Sequence, residues 1–208
     1  MSRESILHRV RTALGRSAGD PPAAPPPVRI RVPESGRESR ITSMMARVEA
    51  LAGQACRTAD PRAAVAGMIA GKTAVASNAE FLAACGITDL PCVRSGLTDR
   101  DELREACASA DFGITSADYA LADTGTLVML SSPQEARLVS LLPPAHIAVV
   151  PAERILSGLD ELFSLVPDPA AVSSSMVLIT GPSRTADIEQ ILVRGVHGPG
   201  RIAVVIAG

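Results

Sequence analysis

Two apolar runs, SMVLIT at Ser175–Thr180 and RIAVVIAG at Arg201–Gly208, flank the stretch GPSRTADIEQILVRGVHGPG, Gly181–Gly200. Both runs are nearly unbroken in aliphatic residues, as strands covered on two faces are. Between them Ile188, Ile191 and Leu192 recur at helical spacing, and Ser183 or Thr185 stands in the N-cap position behind the Gly181 turn. Strand, turn, helix and strand make a crossover unit, whose two strands run parallel in one sheet. The same turn poses a chemical question, because free amides at a helix start with Arg184 beside them also suit a small anion.

The alternation extends back to Lys72. TAVAS is followed by NAEFLAAC, LPCVR by TDRDELREACASA, and then comes FGITSA; GTLVMLS leads to PQEARLVSLL and HIAVVP to ERILSGLDELFSLV. Strands alternating with helices predict a three-layer α/β domain, a largely parallel sheet flanked by helices. Two further helices precede it, one through Ile41, Met44, Met45, Val48, Leu51 and Ala52, the other from Pro61 to Ala70. Nearer the amino terminus, Ile6, Leu7, Val10, Ala13 and Leu14 mark one short amphipathic helix ending at Gly15. The proline-rich stretch GDPPAAPPPVRIRVPESG, Gly19–Gly36, cannot continue a helix and reads as a semi-rigid extended spacer. The expected organisation is a basic helical arm and linker over residues 1–36, then one α/β domain over 37–208.

Composition removes several functions. Aromatic residues are 2% of the chain, so there is no stacking platform for bases and no nucleic-acid partner is expected. Residues 1–48 hold nine arginines against Glu4, Asp20, Glu34 and Glu38, so the arm is basic although the net charge is −2. That arm suits a solvated helix face or docking on an acidic neighbour. Cys56, Cys85, Cys92 and Cys107 form no CxxC pair and have no histidine at zinc-finger spacing, so no metal site is expected. No apolar run is long enough to span a bilayer and no secretory segment follows MSRESILHRVR, which together with free thiols predicts a cytoplasmic setting.

Ligands of open α/β sheets bind beyond the carboxyl ends of the strands, which singles out three segments. In Ala117–Ser131, Asp118, Asp123, Thr124 and Thr126 gather around Gly125, an arrangement that serves a tight turn or a polar site. In Gly181–Thr185, Gly181, Ser183, Arg184 and Thr185 suit a phosphate or carboxylate, and Asp187 and Glu189 nearby favour one small carboxylate over a polyanion. In Gly195–Gly200, His197 stands among glycines and a proline, as a connector or as a proton carrier. His146 and His8 read as structural or solvated. No Walker lysine and no GxGxxG occurs, so a nucleotide site of those types is not expected. The candidate site is therefore His197 and Asp123 for proton handling, with Thr124, Gly125, Thr126, Gly181, Ser183, Arg184 and Thr185 for substrate binding.

Taken together, ADTGTLVML (Ala122–Leu130) and LITGPSRTADIEQILVRGVHGP (Leu178–Pro199) resemble the LUD domain of the lactate utilization protein C family, LutC, also called YkgG. The resemblance implies a fold of the NagB/RpiA/CoA-transferase type and a part in bacterial oxidation of L-lactate to pyruvate. It also implies two partners, an iron–sulfur subunit that contains a LUD domain and a cysteine-rich subunit. The larger LUD subunit carries CxxCxxCxxxCP motifs, and this chain has none. The implied role is a non-redox subunit that binds no cofactor of its own, with iron–sulfur clusters confined to the partners. The alternative is a freestanding NagB-like enzyme acting on a phosphorylated, acyl-CoA or folate-like molecule; the absence of an obvious catalytic glutamate motif weighs against its CoA-transferase form.

Overall fold

The computed structural model describes residues 2–17, 19–21, 35–186 and 192–208. The chain divides into two units, Met1–Ile30 and Arg31–Gly208. In the first, helix α1 (Arg3–Ala13) begins at Ser2, whose hydroxyl accepts from the Ser5 amide at 3.2 Å, and none of its residues is buried. Most of the proline-rich spacer lies outside the described residues.

The second unit opens with α2 (Arg37–Ala50), β1 (Gln54–Thr58), α3 (Pro61–Ile69), β2 (Ala74–Ala76), α4 (Glu80–Ala84), β3 (Val93–Arg94), α5 (Arg100–Ser109) and β4 (Phe112–Ser116). Then follow β5 (Tyr119–Leu121), β6 (Thr126–Leu130), α6 (Arg137–Leu141), β7 (Ala145–Pro151), a 3-10 turn at Ala152–Arg154, β8 (Ile155–Leu156), α7 (Leu159–Leu165) and α8 (Pro169–Val172). The last elements are β9 (Met176–Ile179), β10 (Arg184–Ala186), β11 (Leu192–Arg194) and β12 (Arg201–Ala207). Six strands form the main sheet in the order β1-β12-β7-β4-β2-β3, and every neighbouring pair is parallel.

Side-chain alternation along β7 and β12 builds both cores. Ile147, Val149 and Val205 point to one face and meet Val65 and Ile69 of α3 and Leu82 of α4. Ala148, Val150, Val204 and Ile206 point to the other, against the Ile41, Met44 and Val48 stripe of α2 and Leu127 of β6. Farther along that face Val75 meets Cys107 of α5 and Val139 of α6. Each fully buried Leu, Ile or Val contributes roughly 1.5–3 kcal/mol, so these two faces hold the sheet in the middle layer of three. The expected α/β architecture is therefore present. Strand β1 has no counterpart in the sequence pattern, because QACRT sits at the sheet edge with no fully buried residue and needs no apolar run.

Four readings of individual elements are corrected. MVLIT is not a strand of the parallel sheet; β9 pairs antiparallel with β6 in a second sheet of order β8-β5-β6-β9, where Leu178 stays exposed. GTLVMLS likewise falls in that sheet, since the ADTG turn folds β6 back antiparallel on β5. Glu153–Val166 is not one helix: the 3-10 turn and β8 occupy its start, and an extended Gly158 precedes α7. The helix expected after Gly181 is absent at both of its ends, where β10 and β11 pair antiparallel from Arg184↔Arg194 to Ala186↔Leu192. The reason is local. The Ser183 carbonyl, which would accept the first helical bond, instead accepts from the Gly195 amide at 3.0 Å, and the Ser183 amide donates to the Pro199 carbonyl at 2.9 Å. Asp187, Ile188, Glu189, Gln190 and Ile191 lie outside the described residues.

Candidate functional site

Four of the predicted site residues, Gly181, Ser183, Arg184 and His197, line one open cleft of about 420 Å³ together with Arg137 and Thr180. Its walls come from the β9–β10 connection, the loop after β11 and the face of α6. Gly181 takes φ +78°, and a Cβ there would stand 3.0 Å from Leu51 Cβ, so the chain turns tightly over the end of α2. Arg184 donates from Nη2 to the Leu51 carbonyl beside it. A cation at the carboxyl end of α2 complements the helix dipole, and the contact fixes the guanidinium at the cleft edge. The described lining includes Arg137, Arg184 and His197 but no carboxylate, so the cleft favours an anion.

A run of hydroxyls joins this cleft to the ADTG turn. Thr180 Oγ1 lies 2.7 Å from Thr126 Oγ1, Thr126 Oγ1 lies 2.8 Å from Thr124 Oγ1, and Thr124 donates to Asp123 Oδ1 at 3.1 Å. Each threonine has one proton to give. With Thr124 committed to the Asp123 carboxylate, Thr126 donates to Thr124 and Thr180 donates to Thr126. The oxygen of Thr180 is thereby left as an acceptor at the cleft wall.

Among the remaining predicted residues, Thr126, Thr124 and Asp123 are linked to the cleft through this run. Asp123 sits against Gly158, where a Cβ would come within 2.5 Å of its Oδ2. Gly125, at φ +70°, packs on the backbone of α2 at Arg47 and Val48. Thr185 lies on β10 opposite Val193. The amide-rich helix terminus expected at Gly181–Thr185 does not exist, since the Ser183 amide is already bonded. His197 follows a strand, not the far end of a helix, and is exposed.

Beyond the carboxyl ends of the parallel strands, where α/β sheets ordinarily bind ligands, the structure places a group that the sequence reading missed. Glu135 is 9% exposed, and its Oε1 accepts from the Ser116 amide at 2.9 Å, at the end of β4. Burial pushes its carboxyl up to about 7. Asp118, just past β4, accepts from the Leu130 amide at 2.6 Å, and burial raises its carboxyl as well. Both line an open pocket of about 640 Å³ that also holds Glu80 and Arg154. In the sequence, Ser132 and Glu135 have the S-x-x-E spacing of a capping box, which hides the glutamate as an ordinary helix start. In the structure Ser132 Oγ does accept from the Glu135 amide at 2.9 Å, but the glutamate side chain turns to β4.

The cysteines are free thiols; Cys107 is buried, which raises it to about 11, and Cys92 is exposed. Among the described residues no group of three or more His, Cys, Asp or Glu is arranged to hold a metal ion, and no helix is long and apolar enough to cross a membrane.

Comparison with known proteins fits this fold. The LUD domain profile matches residues 41–207. Lactate utilization protein C 1 of Bacillus mycoides (strain KBAB4) is 39% identical over 115 residues, which are 53% of this chain and 49% of that protein. Lactate utilization protein C of Halalkalibacterium halodurans is 41% identical over 113 residues, 52% of this chain and 49% of that one. The Bacillus subtilis protein of the same name is 42% identical over 101 residues, 47% of this chain and 42% of that one. The match thus spans about half the length of these curated relatives. In three dimensions the chain is similar to a DUF162 family protein from Deinococcus radiodurans, with a TM-score of 0.67 at 22% identity, over 84% of this chain and 99% of the other. At that identity the likeness speaks for the fold alone.

Proposed function

The chain belongs to the LUD domain family, and on that premise we propose that it is the non-redox subunit of a bacterial system oxidising L-lactate to pyruvate, with the α-hydroxy acid held in the cleft beside Arg184. The observation that carries this reading is the chemistry of the cleft lining, two arginines and a histidine with no described carboxylate, next to a threonine oxygen left as an acceptor. In this reading the substrate carboxylate meets Arg184 and Arg137, and its hydroxyl donates to Thr180. Donation by the hydroxyl favours lactate over pyruvate, whose carbonyl has no proton to give. His197 is the proton carrier at the cleft mouth, with Ser183 and Gly181 shaping its floor. Asp123 acts at a distance, by orienting the hydroxyl run.

Electron transfer falls to partners in this account. An iron–sulfur subunit with a LUD domain and a cysteine-rich subunit carry the clusters, and the complex works in the cytoplasm. The names of the relatives and the scattered, free cysteines of this chain support that division. The test is growth of a host strain deleted for this gene on L-lactate as sole carbon source. Growth should fail, return with the wild-type gene, and return poorly with Arg184→Ala or His197→Ala. Undiminished growth of the deletion strain on L-lactate would overturn the assignment.

A further inference from the structure

The cleft beside Arg184 is larger and more apolar than lactate needs. It encloses about 420 Å³. At no more than roughly 30 Å³ for each non-hydrogen atom, the share of one water in the liquid, a lactate ion fills less than half of that space. Its methyl group has little surface to hide, yet the described lining includes Leu51, Leu141, Val177, Ile179 and Ile202. Val177 and Ile179 share one face of β9, since side chains two apart along a strand point the same way. Leu141, the last residue of α6, is 40% exposed. A Cβ at Gly198 would stand 3.6 Å from Leu141 Cδ1 and 3.4 Å from Ser183 Cβ, so the leucine tip reaches the loop that carries His197. Ligand sites pair apolar walls with a few placed polar groups. Here the aliphatic wall and two arginines, with no described carboxylate, fit a ligand that is anionic at one end and aliphatic at the other.

We propose that the cleft also takes 2-hydroxy acids with a branched aliphatic tail, of the size of L-2-hydroxy-4-methylpentanoate, and binds them more tightly than L-lactate. This rests on the reading of the cleft as an α-hydroxy acid site and concerns the tail of the acid alone. The head is held as that of lactate is, with the carboxylate at Arg184 and Arg137 and the hydroxyl donating to Thr180. The tail lies against Leu141, Val177 and Ile179. Each methylene taken fully out of water strengthens binding about fourfold. The three added carbons, only partly covered in an open cleft, therefore amount to about tenfold. A second carboxylate in the same place has no such return. It loses water against aliphatic side chains, while both arginines are committed to the first carboxylate. L-Malate is thus disfavoured against the branched acid despite its extra charge.

The experiment is an NMR titration of the full chain with L-2-hydroxy-4-methylpentanoate, L-lactate and L-malate in parallel. The branched acid should shift the same resonances as lactate, at Thr180 and His197, and saturate them about tenfold more tightly than lactate. It should also bind more tightly than malate. Leu141→Gln changes an exposed side chain and should shrink the ratio between branched acid and lactate to about twofold. Arg184→Ala should weaken both by a similar factor, because the head is common to them. Saturation by lactate with equal or weaker binding of the branched acid overturns this proposal and leaves the lactate reading standing, whereas saturation by neither overturns both. A ratio untouched by Leu141→Gln, or malate that binds more tightly than the branched acid, also overturns it.

Discussion

Burial holds the Glu135 carboxyl up at about 7 and the His146 imidazole down at about 4, so the two groups tilt stability with pH in opposite senses. For Glu135 the fold prefers the protonated form. Its contribution is present below the ordinary carboxylate range and is lost as pH rises to about 7, a change on the order of 3 kcal/mol. For His146, 1% exposed with Nε2 2.8 Å from Thr115 Oγ1, the fold prefers the neutral form. That contribution is present above about 6.5 and is lost as pH falls toward 4. Between these limits the two slopes offset. Glu135→Gln should therefore be more stable than the wild type near pH 8, by about 2–3 kcal/mol, and close to it near pH 4.5. Urea unfolding at the two pH values checks this, and equal midpoints near pH 8 would contradict the buried-carboxyl account. A second prediction concerns Thr126, which is 3% exposed in the middle of the hydroxyl run. Thr126→Val keeps the shape and removes the link, so it should cost about 1 kcal/mol or a little more in stability and erase a preference for L-lactate over pyruvate in binding assays.

Helix α6 lies so close on β4 that a Cβ at Gly113 would meet the Val139 carbonyl at 1.8 Å. Gly113→Ala should cost at least about 2 kcal/mol, because the opposing atom is backbone and the helix must shift as a whole. A thermal melt that matches the wild type would show that this contact is looser than described. The central elements of the sheet were legible in the sequence because their side chains face two cores: HIAVVP and RIAVVIA became β7 and β12, the middle of the parallel sheet. Two marginal strands were not. QACRT gives no apolar run because it is an edge strand, and MVLI looks like a core strand although β9 closes the margin of the smaller sheet. Across Gly181–Gly200 the helical spacing of Ile188, Ile191 and Leu192 suggests one element, while the bonds from Ser183 to Pro199 and Gly195 impose another. Long-range pairing outweighs local periodicity there. Likewise Gly181, Ser183, Arg184 and His197 could be picked out as polar groups near turns, but their common cleft depends on the hairpin, and Glu135 depends on a turn that brings it to β4.

For the whole molecule, the sheet divides the chemistry between its two ends. The cleft with Arg184 lies by the amino-terminal end of β12, near Ile202, and the carboxylate pocket lies past the carboxyl ends of β2 and β4. In the basic arm, α1 buries none of its own residues. Deleting residues 1–35 should leave a cooperative melt, with any loss appearing in assembly with partners; failure of the truncated chain to fold would show that the arm belongs to the core. In the proposed role, the cleft beside Arg184 is the place where an α-hydroxy acid binds. Its most direct test is an NMR titration of the chain, with threonine methyls and histidine rings labelled, against L-lactate. The prediction is saturable shifts at Thr180 and His197, weaker binding of pyruvate, and an affinity reduced about tenfold in Arg184→Ala, whose melt stays cooperative and loses no more than about 1 kcal/mol with the contact to Leu51. Absence of saturable shifts at Thr180 and His197 in the folded wild-type chain, or lactate binding that is indifferent to Arg184→Ala, would contradict it.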